Sequence, residues 1–103
     1  MSDDNQVADT VTLHGRITVE NSGEMRAALS KALSKKPAVV RVNLSDVSYI
    51  DTSGVATLVE AARIARKQGN RMILDGLHDQ PRSLLEITHL DHLFDLGSQE
   101  VSK

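Results

Sequence analysis

The run Tyr49-Ile50-Asp51-Thr52-Ser53-Gly54-Val55 carries an apolar segment straight into an acid, two hydroxyls and a glycine, beyond which apolar residues recur at helical spacing. Such a join is a strand exit meeting a helix start. A hydroxyl there sits at the positive end of the helix dipole, on the surface, beside a fixed negative charge. That is a poor place to build a core and a good place for a charge switch, because a phosphate adds about −1.5 to −2 of charge without rebuilding the fold. Asp, Thr and Ser are all preferred N-cap residues and Gly is tolerated in the first turn, so helix capping alone accounts for one side-chain oxygen. It leaves the second of two adjacent hydroxyls spare.

Upstream, Ala38-Val39-Val40-Arg41-Val42-Asn43-Leu44 is β-branched and apolar on both faces at its start, which predicts an interior, central strand released from the preceding helix by Pro37. The Ser45-Asp46-Val47-Ser48 segment reads as a turn between that strand and the acid. Before Pro37, Met25, Ala28, Leu29, Ala32 and Leu33 form one apolar stripe of a helix capped by Asn21 or Ser22, with Glu24, Lys31 and Lys35 outside it. Thr10-Val11-Thr12-Leu13-His14 alternates and is closed by Gly15, a half-buried strand that can continue through Ile17. Downstream, the helix after the hydroxyls runs to about Gln68 and stops at Gly69-Asn70 in a left-handed cap, and Met72-Ile73-Leu74 is a third strand finishing near Leu77. Beyond Asp79 and Pro81, Leu84, Leu85, Thr88 and His89 give a shorter helix, and Leu90 to Leu96 return apolar side chains to the core. This β-α-β-α-β-α order predicts an α/β sheet with parallel neighbours.

With successive residues about 100° apart around the helix axis, Val55, Leu58, Val59 and Ala62 gather opposite Ser53, with Ala65 at their margin. That side is expected to face the sheet, and Ser53 to point outward. Ala56, Thr57, Glu60, Ile64 and Lys67 share Ser53's side, and an exposed Ile64 and Ala56 beside a polar switch residue read as a partner surface.

Composition narrows the function. A chain of 103 residues fits one domain, here residues 1–103, with polar ends at 1–6 and 97–103 expected to be flexible. There is no Cys, so disulfides and thiolate chemistry are excluded and a cytoplasmic setting is the natural expectation. The apolar runs are short and the N-terminus is acidic, which argues against a membrane span and a signal peptide. Twelve Lys plus Arg against 14 Asp plus Glu, with one Tyr, one Phe and no Trp, offers nucleic acid neither attraction nor stacking. His89 and His92 have a spacing that places two imidazoles on one helical face, but no third ligand accompanies them, so no metal and no cofactor are expected. No phosphate-binding Gly-rich loop ending in Lys-Ser or Lys-Thr is present. Ser53 lacks the first glycine of a Gly-x-Ser-x-Gly elbow, and the protein is read as a binding module rather than an enzyme.

These motifs, taken in order, resemble the STAS family, in particular bacterial anti-sigma factor antagonists that carry Asp-Ser-Ser-Gly or Asp-Thr-Ser-Gly at the start of the second helix. The resemblance covers most of the chain: the strand ending at Gly15, the run from Val39 to Val47, Asp51-Thr52-Ser53-Gly54, Gln68-Gly69-Asn70, and the tail Leu85 to Phe94. It implies a single α/β domain with a mixed β-sheet, central parallel strands and helices packed mainly on one face. It also implies phosphorylation of Ser53, with Thr52 as second choice, by a GHKL-type anti-sigma factor kinase that binds the unmodified form and releases the modified one. The partner surface so implied comprises Asp51, Thr52, Ser53, Gly54, Ala56, Thr57, Glu60 and Ile64. Two features depart from the pattern. Gly15-Arg16 is followed by Ile17-Thr18, so Thr18 stands where the family often has an acid, and the first edge strand must come from Asp3 to Val7 or be missing. A related STAS branch, the small subunit of a lipid-transport ABC transporter, shares the compact N-terminus; there the functional hydroxyl matches Thr52 and the partner is the transporter ATPase.

Overall fold

The computed structural model describes residues 9–97. Strands and helices alternate: β1 (Asp9–Ile17), α1 (Ser22–Ser34), β2 (Val39–Ile50), α2 (Thr52–Gln68), β3 (Arg71–Asp75), α3 (Asp79–Ile87), a 3₁₀ turn (Asp91–Leu93) and the short β4 (Asp95–Leu96). The strands lie in the order β1-β2-β3-β4 and all three pairings are parallel. Sequential parallel strands joined by crossovers of one hand set their helices on one face of the sheet. Burial follows that geometry, since Val40, Val42 and Leu44 are sealed in the core while Val39, Arg41 and Asn43, which point the other way, are only partly covered. On that second face Arg41 reaches across to Asp75 with both oxygens at 2.8 and 3.0 Å, and Arg71 meets Asp95. This is the single α/β domain expected. The proposed edge strand from Asp3 to Val7, the end 1–6 and residues 98–103 lie outside the described residues. Gly97, counted with the flexible end, donates its N–H to Leu74 O at 2.9 Å.

One local expectation is overturned. Ser45-Asp46-Val47-Ser48 is not a turn but the second half of β2, with Val47 fully buried. Its polar composition misled because β2 carries an extra residue at each of two register shifts, opposite Thr12 to His14 and opposite Gly15 to Arg16 of β1. The helix stripe of α1 is as expected, with Met25, Leu29, Ala32 and Leu33 buried. Asn21 sits at its N-cap position, yet the side chain is spent on the preceding loop, accepting from Thr18 N at 2.8 Å and donating to Arg16 O at 2.9 Å. Gly69 ends α2 with φ +85°, a conformation that only glycine adopts without steric cost. Past α3, Phe94 is buried and Leu90 packs against the core, but Leu93 and Leu96 remain over a third exposed, so the tail returns fewer side chains than its composition promised.

Candidate functional site

β2 ends at Ile50 and α2 begins at Thr52, so Asp51 alone makes the corner between them. Its backbone is extended, at φ −101° and ψ −175°, and its N–H donates to Ile17 O at 3.0 Å, which ties the corner to β1. The side chain does three things at once. Oδ1 accepts from Ser53 N at 2.9 Å and Gly54 N at 3.2 Å, the N-cap bonds of α2. The same oxygen accepts from the Ser53 hydroxyl at 2.6 Å. Oδ2 accepts from Val19 N at 3.2 Å, anchoring the loop between β1 and α1. The Ser53 hydroxyl is the main reason that the Asp51 carboxyl is held below the ordinary value of 3.8; desolvation opposes it, and the amides of Gly54, Ser53 and Val19 add to it. The corner is therefore a fixed anion whose charge is shared among a helix start, a hydroxyl and a loop.

The other expected site residues separate into two groups. Thr52, Ala56, Glu60 and Ile64 are exposed along α2, with Ser53 half-buried at their edge. Glu60 is paired to Arg26 of α1 at 3.3 Å, both side chains more than half exposed. Gly54 and Thr57 belong instead to the interior. A Cβ on Gly54 would stand 2.6 Å from Ile50 Cγ1 and 2.8 Å from Ile17 Cγ2, so glycine is there to let α2 approach the strand ends. Thr57 is 2 % exposed and its hydroxyl donates to Ser53 O at 2.9 Å. The buried arc of α2 thus runs through Gly54, Leu58, Ala61 and Ala65, with Val55 and Thr57 on its flanks. The helical projection was turned because α1 packs beside α2 and covers Thr57, whose hydroxyl can be buried once the i−4 carbonyl satisfies it.

Three features escaped the sequence reading. Val19, 73 % exposed, projects from the loop that Asp51 holds, a lone apolar residue in a polar stretch with no periodicity to mark it. A groove of about 450 Å³ separates α2 from α3, lined by Thr52, Val55, Val59, Arg63, Leu84 and Leu90 among others, so Thr52 stands at its rim. Gln80 of α3 grips the last residue of β2, its Oε1 accepting from Ile50 N at 2.9 Å and its Nε2 donating to Ile50 O at 3.0 Å.

The histidines are engaged otherwise or apart. His78 Nδ1 lies 2.8 Å from Asp79 Oδ2 and its Nε2 lies 2.9 Å from Ser45 O, with the imidazole raised above its ordinary value of 6.5 chiefly by Asp79 and then by that carbonyl. None of the described histidines is hydrogen-bonded to Ser53. His89 lies beyond the end of α3, in a left-handed conformation, and His92 is in the 3₁₀ turn; among the described residues no group of three or more His, Asp or Glu could hold a metal ion. Among them, too, no helix is long and apolar enough to cross a membrane.

Known proteins match this architecture along nearly its whole length. The chain is 30 % identical over 86 residues to the anti-sigma-B factor antagonist of Listeria monocytogenes, covering 84 % of this chain and 75 % of that one. It is 32 % identical over 88 residues to the intermembrane phospholipid transport system binding protein MlaB of Escherichia coli, covering 82 % and 84 %. Among solved structures, a putative anti-sigma factor antagonist from Thermotoga maritima superposes with a TM-score of 0.77 at 22 % identity, over 88 % of this chain and 80 % of that one, a likeness of fold. The family model described as "Mlab, STAS domain" matches residues 1–96, and the chain, with its parallel sheet and its Asp51 corner, belongs to the STAS-domain family.

Proposed function

We propose that this protein is an anti-sigma factor antagonist, a non-enzymatic cytoplasmic module that binds a GHKL-type anti-sigma factor kinase and is released when Ser53 is phosphorylated. The observation that carries the reading is the 2.6 Å bond from the Ser53 hydroxyl to Asp51. Phosphorylation converts that donor into an anion. The helix start favours the new charge, but the Asp51 carboxylate beside it does not, and Asp51 also holds the Val19 loop. A docked surface around Thr52, Ala56 and Ile64 then acquires a charge of about −1.5 to −2 at its edge, together with a corner that must rearrange. The relatives named as antagonists support the direction of this reading. Pull-downs with wild type, Ser53→Ala and Ser53→Asp test it: the kinase is retained by Ser53→Ala and lost with Ser53→Asp, and mass spectrometry finds the phosphate on residue 53.

A second reading has its own observation. Thr52, not Ser53, is the exposed hydroxyl, and it stands at the rim of the apolar groove between α2 and α3. A regulatory subunit docked on a lipid-transport ABC ATPase would use that hydroxyl, in keeping with the MlaB relative. Capture of a transporter ATPase that is lost with Thr52→Ala and indifferent to Ser53→Asp selects it over the first.

A further inference from the structure

The Asp51 corner is held from a part of the chain that the motif itself does not include. β3 pairs with β2 only from Val39 to Asn43, so among the described residues the end of β2 has β1 along one edge and no strand along the other. At Ile50 that second edge presents both an N–H and a C=O, groups that are costly to leave unpaired where the side chain beside them is 2 % exposed. The Gln80 carboxamide satisfies both, as a neighbouring strand would. Its orientation is unambiguous, since only the amide oxygen can face an N–H and only the amide nitrogen can face a C=O. Gln80 is in turn held by α3, whose Pro81 and Leu85 are buried. The next residue along β2 is Asp51, from which the helix cap, the Ser53 hydroxyl and the Val19 loop all hang.

We propose that Gln80 is a positioning residue for the Asp51–Thr52–Ser53 turn, its side-chain amide replacing a missing strand at Ile50 and fixing the backbone from which the hydroxyls are presented. The functional meaning of that role rests on the reading of this turn as the partner site. A glutamate at this position supplies a built-in control. Ionised, it can accept from Ile50 N but meets Ile50 O with a second acceptor; protonated, it donates and accepts like the native amide.

Hydrogen exchange by NMR on the full chain tests this, comparing each variant with wild type at the same pH. Gln80→Leu lowers protection of the Ile50, Ser53 and Gly54 amides by about tenfold while core amides such as Val42 change by less than about twofold. Gln80→Glu behaves like Gln80→Leu at pH 8 and returns toward wild type as the pH falls to about 4 and the carboxyl takes up a proton. Equal loss of protection across the whole sheet in both variants, loss confined to Ile50 alone, or a Gln80→Glu variant without pH-dependent recovery would each overturn the role. Affinity for whichever partner wild type captures should fall about tenfold in Gln80→Leu, the size expected for loss of local order at a binding turn. If wild type captures neither kinase nor ATPase, the functional reading fails while the exchange pattern still decides the role of Gln80.

Discussion

From Val39 to Asn43 the strand β2 has a neighbour on each side, whereas from Ser45 to Ile50 β1 alone of the described strands runs beside it and the other edge is met by side chains of His78 and Gln80. The first half is a conventional ladder, in which backbone pairs with backbone and changing one side chain leaves the pairing intact. The second half depends on what two particular residues can donate and accept. That difference puts the side-chain-dependent part of the strand where the Asp51 corner begins, although Val47 and Ile50 there are buried just as Val40 and Val42 are.

Four measurements break or sharpen this contrast. Leu44→Ala, at the junction of the two halves and 1 % exposed, is expected to cost about 2–5 kcal/mol, read as a lower urea midpoint with an unchanged slope. A loss below about 1 kcal/mol would mean that the junction is not the seal it looks to be. Gly54→Ala ranks next. Crowding against Ile50 and Ile17 costs about 1–3 kcal/mol, partly offset by about 1 kcal/mol of helix propensity, so a net loss of about 0–2 kcal/mol is expected in the same titration. A stabilised variant would show that the corner has slack. In the ladder half, Arg41→Met removes the ion pair to Asp75, whose side chains are 43 % and 18 % exposed respectively, and should cost about 1 kcal/mol, with a double-mutant cycle to Asp75→Asn isolating the pair.

The smallest effect is the one with a sign fixed by pH. Because the folded state raises the His78 pKa above 6.5, the bonus from its charged form is complete below that value and fades as the pH rises through the higher folded one. Wild type should therefore lose thermal stability between pH 6 and pH 8 relative to His78→Asn, modestly, since the imidazole is partly exposed. An identical pH dependence in both proteins would remove His78 from the list of groups that hold the second half of β2.

Periodicity made the order of elements legible, because the stripe of α1 arises from one buried face and the β-branched start of β2 from one sealed face and one partly covered. The Asp51 cap was legible for a similar reason, since capping is local and its chemistry is carried by one residue type. What escaped depends on distant neighbours. Ser45 to Ser48 reads as a turn until β1 is laid alongside it, and Thr57 reads as surface until α1 covers it and Ser53 O accepts its hydrogen. Val19 and Gln80 have no pattern of their own, and acquire meaning only through Asp51 and Ile50, each about thirty residues away in sequence.

The separation of Gln80 from Ile50 by 30 residues has a consequence for how the molecule comes into being. Synthesis proceeds from the N-terminus, so β1, α1, β2 and α2 leave the ribosome with the two hydroxyls already in line, but without the amide that closes the corner. A nascent or prematurely ended chain that stops short of α3 therefore lacks the amide that pairs with the N–H and C=O of Ile50, and the end of β2 is completed only once that helix has been made.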